Sequence, residues 1–182
     1  MQVIDPVVDP SLTTGFFKTE EEATQALIDS LGGLFRVYPQ IEGRYQFFKH
    51  SRNLSYPIID LILVPNPELK EAGWSWGPVG IEVKASGKKL GPALSQLIDY
   101  STAAYPIHQT WIVPDFFFLF PANRFKGPLE SILAHLRCGG IYRDPYGQLI
   151  FHSTNIIARL SEAHGIDIRP NNTNHGHKVG SR

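Results

Sequence analysis

The run Pro57-Ile58-Ile59-Asp60-Leu61-Ile62-Leu63-Val64 is apolar at every position but one. Apolar side chains on both faces of a strand need cover on both faces, so the run predicts a central strand in a layered α/β domain. Asp60 is the exception. A carboxylate among such neighbours loses hydration without gaining a partner, and is expected to be paired, protonated or bound to a metal. A strand-end aspartate that meets a lysine or caps a turn fits the same residues.

A second strand is predicted over residues 78–85. In Gly80-Ile81-Glu82-Val83-Lys84-Ala85, period-2 alternation puts Ile81 and Val83 on one face and projects Glu82 and Lys84 together from the other. Alone, that acid and base could be a solvated face. Beside a strand carrying Asp60, the two carboxylates converge with an ammonium one pleat away. Two carboxylates without sulfur or imidazole favour a hard cation, Mg²⁺ or Mn²⁺. The lysine would hold or deprotonate a water, or neutralise charge developing on a phosphate. Gly91-Pro92 then opens a helix to about Ala104. Gln96 and Tyr100, four residues apart, share one of its faces.

Around this centre, Thr19 and Glu22 have capping-box spacing and start a helix that ends at Gly32-Gly33. Strands are expected over 34–41 and, continuing or paired, 43–49, and a third core strand over Gln109–Val113. Beyond it come the aromatic run at 116–120, a helix from about Pro128 to Arg137, a hairpin turning at Asp144-Pro145-Tyr146-Gly147, and a final helix over 154–164. Helix, strands, helix, strand describes an α/β domain with a mixed sheet. Residues 1–15 read as an arm, 16–168 as one domain (core 19–113, C-terminal elaboration 114–168) and 169–182 as a flexible tail. The tail histidines His175 and His177 could bind metal adventitiously, or simply ride on a mobile segment.

Composition narrows the functional classes. With 182 residues and 42% apolar content the chain can bury a core, and no apolar run is long enough to span a bilayer, so no membrane partner is expected. Cys138 is the single cysteine, which excludes disulfide frameworks and cysteine zinc clusters. The N-terminus lacks a basic segment before an apolar one, so a cytoplasmic setting is expected. Seventeen acidic side chains balance seventeen basic ones, against a protein that coats nucleic acid by bulk charge. Local clusters remain: Arg44, Lys49, His50 and Arg52 lie in an acid-free stretch at 43–54, and Lys88 and Lys89 follow Lys84. They could track phosphates or be solvated loops. Trp74 and Trp76 could stack on an unpaired base or pack over the sheet.

The series Asp60, then Glu82-Val83-Lys84, then Gln96-Leu97-Ile98-Asp99-Tyr100 resembles the PD-(D/E)xK nuclease superfamily, and its QxxxY helix resembles the RecB-type, lambda-exonuclease-like branch. The match covers roughly residues 19–113. The resemblance implies a restriction-endonuclease-like αβββαβ core, a mixed central sheet flanked by helices. It implies a Mg²⁺- or Mn²⁺-dependent phosphodiesterase acting on DNA before RNA. Asp60 and Glu82 would be the metal ligands and Lys84 the catalytic lysine, with Gln96 and Tyr100 supporting site and substrate. The first-helix glutamate common in the family would be Glu22, unless that residue only completes the capping box. Ile59 stands where the motif has proline, and His50 is the nearest residue to the branch's upstream histidine. No iron–sulfur cluster is expected. Compact relatives of this kind suggest a phage or mobile-element setting, with targeting from partners or from substrate shape; protein partners or a homo-oligomer fit the same resemblance. The alternative, from another class, is a catalytically silent nuclease-fold protein serving as a structural or interaction module, to which an exposed aromatic run at 116–120 would contribute.

Overall fold

The computed structural model describes residues 17–31, 33–45, 56–88, 90–122, 132–133, 135–144, 147–153, 156–161 and 165–170. The helices are α1 (Glu20–Ser30), α2 (Pro67–Glu71) and α3 (Leu90–Ser101). The strands are β1 (Phe35–Glu42), β2 (Arg44–Tyr45), β3 (Ile58–Pro65), β4 (Val79–Val83), β5 (Ala103–Ile107), β6 (Thr110–Ile112), β7 (Phe116–Phe120), β8 (Cys138–Arg143), β9 (Leu149–His152), β10 (Ile156–Ser161) and β11 (Gly165–Pro170). Eight strands form one curled mixed sheet in the order β1-β3-β4-β7-β8-β9-β10-β11, and β2-β5-β6 form a separate small sheet.

The apolar run around Asp60 is β3, held antiparallel between β1 and β4. Alternation splits its burial between two cores. Leu61 and Leu63, with Val79, Ile81 and Val83 of β4 and Phe116, Phe118 and Phe120 of β7, face α1 through Ala23, Leu27 and Leu31. Ile62, Phe117 and Leu119 face the opposite way, toward Ala93, Leu97 and Tyr100 of α3. A sheet buried on both faces accounts for strands β4 and β7, in which all five residues are buried. Helix α1 starts as its sequence requires: the Thr19 hydroxyl accepts from Glu22 N at 3.1 Å, and Glu22 Oε2 accepts from Lys18 N at 2.8 Å.

Several expectations are corrected. The strand beside β4 is not Gln109–Val113. Residues 103–107 and 110–112 form an antiparallel pair in the small sheet, and β7 pairs parallel with β4 instead. The aromatic run at 116–120 is therefore buried sheet, not exposed surface, because only a strand with two apolar faces can lie between two cores. Of the helix expected over 154–164, the described residues 156–161 are strand β10, antiparallel to β9 and β11, since Ala158 and Leu160 find strand partners and the buried face of the sheet. The strand also carries the ordered fold to Pro170, past the expected start of the tail at 169. Of the helix expected over 128–137, residues 132, 133 and 135 are helical. The arm at 1–15, the tail beyond 170 and the segment 46–55 lie outside the described residues. No helix among the described residues is long and apolar enough to cross a membrane.

Gly80 shows how tightly the central strands are stacked. A Cβ there would meet Ile59 Cδ1 at 2.5 Å and Phe117 Cδ1 at 2.7 Å. Gly80→Ala is expected to destabilise the fold by about 1–3 kcal/mol through overpacking, measurable as a lower urea midpoint at unchanged m-value.

Candidate active site

The register of β3 and β4 pairs Leu61 with Ile81 and Ile62 with Gly80; one step further sets Asp60 opposite Glu82. The Glu82 side chain reaches Tyr100 of α3. Asp60 is partly buried, and its oxygens are held separately: Oδ2 accepts from Val83 N at 2.8 Å and Oδ1 from Gln40 Nε2 at 3.2 Å. Glu82 is 1% exposed, although ionised carboxylates are almost never so deep unless paired. Its Oε1 meets the Lys84 ammonium and its Oε2 meets the Tyr100 hydroxyl at 2.9 Å. Tyr100 Oη also lies 2.8 Å from the carbonyl of Ile58, next to the base of β3.

That hydroxyl has one proton for two acceptors. When it goes to the Ile58 carbonyl, the contact with Glu82 is made by a proton on the carboxyl. When it goes to Glu82, the ionised form is served. Burial is the main reason the Glu82 carboxyl is pushed up to about 7; the Lys84 and Tyr100 hydrogen bonds oppose the rise, and the Asp60 charge adds to it. Burial also draws Lys84 toward its neutral form. The hydrogen bond and charge of Glu82, then the charges of Glu20 and Asp60, outweigh it, so the lysine is held charged above its ordinary range. The Tyr100 phenol is pushed upward by burial and then by Glu82, and stays neutral.

The sequence-derived residues separate clearly. Asp60, Glu82, Lys84 and Tyr100 come together. Gln96 lies one turn before Tyr100 on the same face of α3, half-buried, and among the described residues it is not a partner of either carboxylate. Glu22 is occupied with the start of α1, and the first-helix carboxylate that reaches the site is Glu20, 3.6 Å from Lys84 Nζ. A clamp explains this proximity. Phe17 N donates to Ser86 Oγ and Ser86 N to the Phe17 carbonyl, both at 2.9 Å, tying the entry of α1 to the turn after Lys84. Arg44 is exposed on β2 and Lys88 exposed after β4, while Lys49, His50, Arg52 and Lys89 lie outside the described residues. Trp74 is buried, edge-on to Phe35 at 5.2 Å, and Trp76 packs on Phe116, so both cover the sheet.

Gln40 has no counterpart in the sequence reading. It sits opposite Asp60 in the β1–β3 ladder, but its φ of 51° takes it out of the pairing and turns its amide to Asp60. Left-handed backbone costs a non-glycine residue roughly 1–2 kcal/mol, and such strain concentrates at functional sites. The only sequence hint was Pro39, which marks an irregular β1.

Among the described residues no group of three or more His, Cys, Asp and Glu side chains is placed to hold a metal ion. Asp60 and Glu82 are a two-carboxylate arrangement. No protein-family model, curated protein or solved structure matches the chain.

The raised Glu82 carboxyl has a definite consequence for stability. Below about 4.5 both folded and unfolded chains hold that proton; between there and about 7 only the folded chain does. The contribution is therefore complete at the acid end and is lost as pH rises through about 7. Glu82→Gln, which keeps the shape without the titration, is expected to match the parent near pH 4.5 and to gain on it progressively up to pH 7.5. Urea unfolding of both proteins across that range checks the sign.

Proposed function

We propose that this chain is a metal-dependent nuclease that hydrolyses phosphodiester bonds of DNA. The observation that carries the reading is the approach of Asp60 on β3 to β4 at Val83 N, next to Glu82, with Lys84 on the Glu82 carboxylate and Tyr100 closing it from the helix. The order of elements supports it: α1, the antiparallel β1, β3 and β4, then α3, then β7 parallel to β4, as in a restriction-endonuclease-like αβββαβ core. The hairpin of β5 and β6 is then an insertion between α3 and β7, joined by β2 from between β1 and β3, and β8–β11 are an extension.

The donor set suits Mg²⁺ or Mn²⁺. Both are hard cations that keep much of their water shell and need only one or two carboxylates beside the substrate phosphate. Asp60 and Glu82 would hold the ion, which when bound supplies Lewis-acid polarisation of the phosphate and activation of water. The chain's own groups do the rest. Val83 N and the Gln40 amide fix the two oxygens of Asp60, and Tyr100 fixes Glu82, so neither carboxylate must reorganise. Lys84 stays an ammonium, so it aligns the attacking water and offsets charge on the five-coordinate phosphorus rather than acting as a base. Glu20 tethers it from the third side.

The other reading, a silent nuclease-fold interaction protein, draws on the absence of a three-ligand cluster among the described residues. One experiment separates them. Supercoiled, linear and single-stranded DNA and a single-stranded RNA are incubated with the protein in Mg²⁺, in Mn²⁺ and in EDTA. Metal-dependent DNA cleavage is expected, reduced about 10²–10³-fold in Lys84→Ala with circular dichroism unchanged. Cleavage that survives in EDTA or in Lys84→Ala refutes the proposal, and no cleavage of any substrate favours the silent protein.

A further inference from the structure

We propose that the outward face of the β2-β5-β6 sheet is a stacking platform for an unpaired DNA strand, with Trp111 and Arg44 as its contact residues. The inference rests on the nuclease reading and names the form of substrate that the same site would receive.

The small sheet has two chemically different faces. Ala103, Tyr105 and Ile107 alternate inward and are buried, with Tyr45 and Ile112 packed beside them, in the core that holds Tyr100. The register pairs Arg44 with Ala104 and Trp111 with Pro106, and partners across a ladder share a face. Arg44, Ala104, Pro106, Trp111 and Val113 therefore point outward. Trp111 is 48% exposed and Val113 44%, while the Arg44 guanidinium lies 5.1 Å from the Trp111 ring centroid.

Trp111 and Val113 set two exposed apolar side chains together on this face, with the Arg44 guanidinium beside the indole. Among the described residues, the five side chains of this face include one cation and no carboxylate, which complements a polyanion. Bases stack on aromatic rings and on arginine planes alike, and a guanidinium set over an indole offers both. A duplex hides its base faces, so an unpaired strand is the form that fits. Five side chains are also far fewer than the roughly 20–30 residues a side of a stable protein interface, which argues against a second copy as the occupant.

The small sheet that carries the platform is joined to the strands and helix of the candidate active site. Arg44 stands two residues beyond Glu42, the partner of Ile58 across the β1–β3 ladder, and Ile58 lies two residues before Asp60. From the other side, Tyr105 Oη reaches the carbonyl of Tyr100 at 3.5 Å.

The test uses the full chain in EDTA, so that binding is read without cleavage. Anisotropy of a labelled oligo-dT of about 16 nucleotides is compared with that of a duplex of equal length. Tighter binding of the single strand is expected, weakened about tenfold or more by Trp111→Ala, with Trp111→Phe retaining most of it. Arg44→Ala should weaken it too and flatten its salt dependence. Oligo-dT should quench tryptophan fluorescence in the parent and not in Trp111→Ala. Unchanged oligo-dT affinity in Trp111→Ala, or tighter binding of the duplex, overturns the platform. So does conversion of a dimer to a monomer by Trp111→Ala, which would make the face a contact between copies. Strand binding that depends on Trp111 without cleavage of any DNA in Mg²⁺ or Mn²⁺ upholds the platform and removes the nuclease reading. Cleavage that depends on Lys84 while strand binding ignores Trp111 does the reverse.

Discussion

Glu82 is a carboxylate set in the middle of a sheet that is apolar on both faces, and its neighbours are arranged around that fact. Left alone, the ion would cost several kcal/mol of lost hydration. Lys84 meets one oxygen and the Tyr100 hydroxyl the other, one from the end of the same strand and one from α3 across the core. Neither partner fully offsets the burial, so the carboxyl holds its proton up to about 7.

The fold fixes this arrangement from three directions. Pairing of β3 with β4 ends at Leu61, and Asp60, the next residue, takes the backbone N–H of Val83 on its side chain beside Glu82. Parallel pairing of β4 with β7 buries the far side of β4, so the carboxylate cannot turn away to solvent. The exchange of hydrogen bonds between Phe17 and Ser86 brings the first turn of α1 to the end of β4, which is why Glu20 rather than Glu22 faces Lys84. Gln40 completes the set from β1, where an unpaired left-handed residue holds the second oxygen of Asp60.

Local period was a good guide where one period dominated. The strand through Asp60, the alternation of Glu82 and Lys84 and the helical spacing of Tyr100 all survive in the structure as read. The pattern was ambiguous at 154–164, where Ile156, Ile157, Ala158 and Leu160 suit a helix as well as a strand, and the neighbouring β9 decided for strand. At 109–120 two apolar segments competed for the place beside β4. The aromatic one won because it is apolar on both faces, whereas Trp111 and Val113 alternate with inward residues and leave one face of the small sheet in water.

From the residues alone one can tell that a carboxylate sits in a buried strand, that an acid and a base share a face of another, and that a tyrosine lies at the right helical spacing to meet them. These follow from side-chain periodicity, which is a property of the backbone and needs no partner. Which strands are neighbours, in what register, and which residues arrive from distant segments were decided only by the folded chain. Gln40, Glu20 and the pairing of Arg44 with Trp111 belong to that second group. Each depends on contacts between segments far apart in sequence, and on a backbone conformation or helix entry that only the assembled sheet can hold in place.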